Sequence, residues 1–432
     1  MTRDYYLYMG QDRRENFALP EGWRPLHVVE AEEEAPASSV TEMTLKALSA
    51  PIGAYPLQDL ASRARKIAII VDDATRPTPV KEILSTLMSI LETDGFLRED
   101  ISLVVALGTH GPMKREELVA RLGENVVSDY RIVQHDAWQE NLVPIRIPDE
   151  ERVVKINPAV AEADLRIGIS SILPHPMAGY GGGPKIVMPG VCNFEFIRDH
   201  HMKNVSNPAT RVGATKGNPF HEDLMKTVQA IRLDFSINCV YDQKGEIVSI
   251  IGGSLEQAFA AAVDLCFEKL GHKFEEKVDV SITSAFPHTH GHQIFKGLST
   301  PDIVTKDHGA ILLFAPVVGP MNPDFLNSFH SLKEKSRGST EAYVRAALSK
   351  GEAFLPDKPI DFNMAMSTVF LRPKIRTILV SDFIKQEEAV TMGLEYASSI
   401  KEGLDRLEKA YPRATAAIFP VGGLIVPITA WQ

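Results

Sequence analysis

The sequence predicts an α/β protein of two α/β domains, the N-terminal one built on a largely parallel, Rossmann-like sheet. Short apolar runs alternate with helical 3-and-4 spacing along most of the chain. A strand–helix–strand cadence of this kind suits a parallel sheet covered on both faces. The cadence pauses at the charged stretch His272–Lys277, which sets a boundary near residue 275. The expected units are therefore residues 1–275 and 276–432, with the site in the cleft between them, since ligands collect beyond the carboxyl ends of such strands.

"KIAIIVDD", Lys66–Asp73, is the first strand of that sheet. After it Val80, Ile83, Leu84, Leu87, Ile90 and Leu91 recur on one helix face. Ile101–Thr109 is the next strand, and the helix "KREELVARLG" that follows stops at Gly123. Leu165–Leu173 is a third strand, apolar enough to be buried. Beyond the boundary "VDVSITSA", "GAILLFAP", "RTILVSD" and "ATAAIFP" read as strands, separated by helices such as Ser339–Lys350 and Ser399–Ala410.

Composition narrows the class. Hydrophobic residues make up 44% of the 432, which excludes a disordered chain. The net charge of -10 argues against a nucleic-acid surface. Cys192, Cys239 and Cys266 are far apart and form no CxxC, a pattern suited to a reducing cytoplasm. The N-terminal stretch lacks the apolar core of a signal peptide, and "GAILLFAPVVGP" is too short to span a bilayer. A soluble, cytoplasmic protein is expected, with neither nucleic acid nor membrane as partner.

Three polar constellations follow the first three strands: "DDATRPTP", "GTHGPM" and "PHPMAGYGGGPK". In the first, Thr78 is placed to cap the next helix, with Pro79 as its first residue. Arg76 would then either meet an anion at the helix N-terminus or pair with Asp72 or Asp73. His110 and His175 are each unremarkable alone, but two histidines converging on one crevice could act as bases from opposite sides of a substrate. "GYGGGPKI" fails the P-loop pattern, because Pro184 replaces the last glycine and Ile186 the hydroxyl residue. Its glycines still permit close backbone approach. Lys185, flanked by "IVMPG", is placed to be desolvated and to serve as a nucleophile or attachment point. Further on, Asp199, His200 and His201 sit on an expected helix, where adjacent side chains diverge. His288, His290 and His292 alternate, so in an extended chain they would share a face and could bind a metal.

Together these motifs resemble the lactate racemase family, whose enzymes use a nickel-pincer nucleotide. The likeness runs from "PIGAYPLQDL" and "VDDATRPTP" through "GTHGPM", "PHPMAGYGGGPKIVMPGV", the downstream histidine pair and "GNPFHEDL" to "QIFKGL" and "AAIFPVGGLIVP". It implies that Lys185 is the covalent attachment point of a pyridinium mononucleotide, and that His201, sixteen residues later, is the protein's nickel ligand. It implies catalytic bases at His110 and His175. Asp73, Thr75, Gly181, Gly182 and Gly183 would surround the cofactor, and Arg76, Gln293, Lys296 and His292 the substrate. Enzymes that make and load the cofactor would be partners.

The implied reaction inverts C2 of a 2-hydroxy acid through a 2-keto acid. Hydride leaves to the cationic pincer ring while a histidine takes the hydroxyl proton, which avoids a carbanion beside a carboxylate. The sequence departs from the family pattern at Gly111, where arginine is common, at His200, where asparagine is common, and at His292, where an aromatic is common. The tryptophan of the lactate pocket has no counterpart in "PIDFNMAMSTVFLRPK", which offers Phe362, Asn363 and Met364. Less bulk and more imidazole suggest a larger or more polar substrate than lactate, such as a sugar acid or a dicarboxylate. The alternatives are a conventional metal enzyme built on His288, His290 and His292, or a non-catalytic hydroxy-acid or cofactor-binding protein.

Overall fold

A computed structural model describes residues 4–10, 13–30, 38–372 and 374–431. The strands that frame the site begin with β1 (Trp23–Val28), β2 (Ile67–Val71), β3 (Ile101–Val105), β4 (Arg131–Gln134) and β5 (Leu165–Ser171). They continue with β6 (Phe235–Tyr241), β7 (Ile247–Gly253), β8 (Val278–Ser284), β9 (Thr305–Phe314), β10 (Arg376–Val380), β11 (Glu395–Ala397) and β12 (Ala414–Phe419). The helices that matter here are α1 (Val80–Thr93), α2 (Arg115–Leu122), α3 (Phe194–Asn204), α4 (Pro219–Ile231), α5 (Leu255–Leu270) and α6 (Ile360–Leu371).

Two six-stranded sheets result. The first has the order β7-β6-β5-β2-β3-β4, parallel except where β7 returns antiparallel on β6. At its centre β2 is buried throughout: Ile70 packs into one core, and Ile67, Ile69 and Val71 into the core on the opposite face. That double burial is why the strand reads as an unbroken apolar run. Against the second of these cores α1 lays Val80, Ile83, Leu84, Leu87 and Leu91. Each such side chain contributes roughly 1.5–3 kcal/mol.

β6 and β7 were not among the expected strands. Ser236 and Asn238 interrupt the apolar run of β6, but their side chains bond to each other at 3.0 Å and to the Ile251 carbonyl at 3.2 Å. A buried polar pair satisfied in this way costs little.

The second sheet is wholly parallel, in the order β11-β10-β9-β8-β12-β1. Its edge strand β1 comes from far upstream, and the Trp23 indole N–H donates to the Tyr411 carbonyl 388 residues away, at 2.7 Å. A cut at residue 275 therefore would not part the two sheets cleanly. Strands β2, β3 and β5 all stop short of their expected ends, at Val71, Val105 and Ser171. The residues just beyond bend away as loops, and these loops carry the polar constellations. No helix among the described residues is long and apolar enough to cross a membrane.

Candidate active site

A cavity of about 340 Å³ lies beyond the carboxyl ends of β2, β3 and β5 and is walled opposite by the segment after β8 and by α6. The loop after β2 is clamped by Arg121 of α2. That guanidinium pairs with the Asp72 carboxylate and donates to the carbonyls of Asp72 (3.2 Å), Arg76 and Thr78 (2.8 Å each). Thr78 does not cap α1: its hydroxyl donates to Asp72 at 2.5 Å, and α1 begins after Pro79 with no side-chain cap. Nor does Arg76 pair with either aspartate. With Asp72 engaged by Arg121 and Asp73 by His110, Arg76 lines the cavity without an ion pair among the described residues.

Asp73 is the hub of this wall. One oxygen accepts from the Thr75 N–H at 3.0 Å and hydroxyl at 2.5 Å, while the other faces His110 Nδ1 at 2.5 Å. Burial disfavours charge on His110, but the Asp73 carboxylate outweighs it and raises the imidazole pKa. Burial likewise opposes charge on Asp73, and His110 with Arg76 overcomes it, so the carboxyl is held below its ordinary range.

His175 sits in a tight reversal paired with Gly179, and its Nδ1 accepts from the N–H groups of Met177 and Ala178, both at 3.1 Å. Burial first, then the charges of Lys185, Lys296 and Arg76, push its pKa well below the usual value.

The glycine loop follows. Gly182 has φ +70°, and a Cβ there would fall 2.3 Å from the Ser171 carbonyl oxygen. At Gly183, φ is +50° and a Cβ would meet the Phe259 ring of α5 at 2.2 Å. Both positions therefore demand glycine. Lys185 stands on the cavity wall, its Nζ 5.4 Å from the centre of the Phe220 ring and without an ion pair among the described residues. Burial and Arg76 lower its pKa to about 7. On α3, His201 directs Nδ1 to the Ile197 carbonyl at 2.8 Å and lines the cavity. His200 does not reach the cavity. It packs edge-on to Phe220 with Nε2 3.8 Å from Asp223, and burial and Lys185 lower its pKa to about 3.

The opposite wall supplies Gln293 and Lys296 from a 3-10 helix, Gly291–Leu298, together with His288 and His292. Gly291, with φ +47°, turns the chain, so the three histidines do not share a face. His288 and His292 line the cavity, whereas His290 is exposed and bonds to the Thr289 hydroxyl at 3.2 Å. Among the described residues no group of three His, Cys, Asp or Glu is placed to hold a metal, so the three-histidine alternative finds no such cluster.

Of the residues expected at the site, Thr75 and Gly183 lie outside the cavity, supporting Asp73 and the loop. His110, His175, Asp73, Arg76, Gly181, Gly182, Lys185, His201, His292, Gln293 and Lys296 all line it. Phe362 and Asn363 do not: Phe362 packs on Phe325, and Asn363 bonds to the backbone of Leu355. Met364 does line it, beside Asp361, a residue that no motif singles out. Asp361 accepts from His292 Nε2 at 2.8 Å. An acidic residue opening a helix in the very stretch expected to shape the pocket was the available signal.

The residues present fit a lysine-tethered, metal-bearing nucleotide. Lys185, with no carboxylate partner, has a substantial neutral fraction near pH 7 and so an amine free to form a covalent bond. The His201 Nδ1–H donates to Ile197, leaving the Nε2 lone pair free for a metal. Both stand on the same cavity.

The model of the lactate racemase N-terminal domain matches residues 11–213. A lactate racemase from Thermoanaerobacterium thermosaccharolyticum is 30% identical over 373 residues, 85% of each chain. One from Lactiplantibacillus plantarum is 28% identical over 404 residues, 90% of this chain and 91% of that one. The solved apoprotein of the Thermoanaerobacterium enzyme superimposes with a TM-score of 0.85 at 25% identity, covering 99% of this chain and 100% of its own. A Thermotoga maritima protein shares the fold at a TM-score of 0.66 and 17% identity, over 92% of this chain and 100% of its own. These likenesses define an isomerase with an α/β fold of parallel and mixed sheets. The chain belongs to the lactate racemase family, a family dependent on the nickel-pincer nucleotide.

Proposed function

We propose that this protein inverts the C2 centre of a 2-hydroxy acid larger or more polar than lactate. The observation that carries this reading is a single cavity with two histidines of opposite proton affinity, His110 raised and His175 lowered. A reversible inversion needs a group that takes the hydroxyl proton and gives it back, and a second group that hydrogen-bonds the oxygen meanwhile. The chain would divide near residue 275 into a unit bearing the attachment lysine and both histidines, and a unit bearing Gln293, Lys296 and His292, with β1 lent to the second sheet.

Lys185 would carry the cofactor and His201 would ligate its nickel. When bound, the nickel-pincer nucleotide supplies a cationic acceptor for the C2 hydride, so that the hydroxy acid passes through its 2-keto acid. The chain's own residues do the rest. Arg76 and Lys296, neither in an ion pair among the described residues, hold the substrate carboxylate, with Gln293 beside them. Because Nδ1 of His110 faces Asp73, Nε2 is the nitrogen that meets the hydroxyl proton. Neutral His175, with Nδ1 accepting two N–H groups, carries its proton on Nε2 and hydrogen-bonds the substrate oxygen without giving that proton up. The proton that His110 takes returns to the same oxygen as the 2-keto acid is converted back, so both rings end as they began whichever enantiomer enters.

The test begins with intact mass and nickel content of protein produced beside the cofactor-making enzymes. A mass increment on Lys185, with nickel in equal amount to the chain, supports the cofactor assignment. No increment, in a host that loads a control racemase, refutes it. In loaded protein, His110→Gln and His175→Gln should each abolish inversion while keeping the cofactor. Unchanged turnover in both would overturn the assignment of the bases.

A further inference from the structure

The first turn of α6 places a carboxylate on the cavity that the reaction as described does not use. Asp361 has one ion-pair partner among the described residues, His292, whose Nε2 lies 2.8 Å from Oδ2. Its other oxygen, Oδ1, has no hydrogen-bond partner, and neither does the buried Oε1 of neighbouring Gln293. The His292 ring is fixed by Phe325 and Phe362, each with its ring centre 5.3 Å away. Asp361 and His292 are thus held rigidly, and a carboxylate offers about four acceptor positions, of which His292 fills one.

The opposite wall itself holds two different groups, Lys296 and the His292–Asp361 pair. Lys296, with Arg76 across the cavity, is suited to an anionic group of the substrate, while Lys185 is the attachment point. Around Asp361 there is acceptor oxygen with no lysine or arginine paired to it. A substrate hydroxyl arriving there supplies the missing donor. An alkyl group supplies none, and a second carboxylate adds a like charge. A site built to bond a hydroxyl rejects analogues lacking it, because its own buried polar groups are then left unpaired.

We propose that the His292–Asp361 pair reads a hydroxyl beyond C2, so that the substrate class is a polyhydroxylated 2-hydroxy acid of the aldonic type. This rests on the racemase reading above, and of the two larger substrates that the sequence suggests it selects the sugar acid over the dicarboxylate.

The experiment is a C2-inversion panel on loaded protein with gluconate, malate and lactate, followed by chiral chromatography. Wild type should favour gluconate over both others in kcat/KM by roughly tenfold or more, the scale of one hydrogen bond to a charged group. Asp361→Leu should lose gluconate turnover roughly tenfold more than lactate turnover. Asp361→Asn, which keeps an acceptor but no charge, should narrow the gap between gluconate and malate. Malate or lactate preferred by wild type, or an equal fall on all three acids in Asp361→Leu, overturns the inference while leaving the racemase reading intact. Inversion of none of the three by wild type overturns both. The wild-type panel decides even where a variant fails to fold.

Discussion

The loop after β3 and the loop after β5 each bring a histidine to one cavity, and they treat it in opposite ways. His110 leans on a carboxylate that is itself held by Thr75. His175 leans on two backbone N–H groups and faces three cations. The residue type is the same, yet one ring is disposed to hold a proton and the other to refuse it. Proton affinity here is set by what the fold places around each ring: at His110 the Asp73 carboxylate outweighs burial, whereas at His175 burial and nearby cations act together.

The comparison breaks most visibly if its carboxylate is removed. Asp73→Asn should cost inversion roughly a hundredfold to ten-thousandfold, as loss of a positioned general base does. It should also move the His110 limb of the kcat/KM profile to lower pH, because the group that raised its pKa is gone. A limb that stays in place would show that Asp73 does not set His110.

Next is the clamp behind that loop. Arg121→Met strands the buried Asp72 charge and should cost about 3–5 kcal/mol of stability, read as a lower urea midpoint. Wild-type stability in this variant would mean that Asp72 needs no partner.

On the His175 side, Gly183→Ala forces a methyl toward the Phe259 ring in a left-handed backbone and should cost about 1–3 kcal/mol. Gly181→Ala meets only the Leu173 carbonyl, at 3.6 Å, and should stay within about 0.5 kcal/mol. The contrast between the two, by thermal melting, reports how tightly the glycine loop is packed.

Acid sharpens the same comparison. His175 and His288 are held neutral with depressed pKa values. As pH falls below about 6.5 the unfolded chain binds protons that the folded chain refuses, so stability should drop on acidification. His110 has the opposite sign. Its raised value makes its contribution complete below about pH 6.5 and lost as pH climbs through the folded pKa. Urea midpoints measured across that range should fall toward acid. A flat profile would contradict burial of the neutral rings.

Much of this was legible in the chain. The apolar runs of β2, β3 and β5 and the periodicity of α1 are local signals, and the loops that follow had to carry the polar residues. What escaped was non-local. Thr78 looks like a helix cap until Asp72 comes within reach of its hydroxyl, and Asp72 is there because Arg121, on another helix, holds it. His290 shares a face with its neighbours only if the chain is extended, and Gly291 turns it. Asp361 gains its meaning from His292, a partner far away in sequence. β1 carries no sign that its place is in the distant sheet.

That last strand has a consequence for how the molecule is made. Trp23 leaves the ribosome long before the Tyr411 carbonyl that receives its indole proton, which follows 388 residues later. At about 5–20 residues per second, the delay is roughly 20–80 seconds. During that time β1 has no neighbour, and until β12 arrives the second sheet lacks the strand that joins β1 to it. The nascent protein must therefore keep an open hem until Ala414–Phe419 is translated, and only that strand sews it shut.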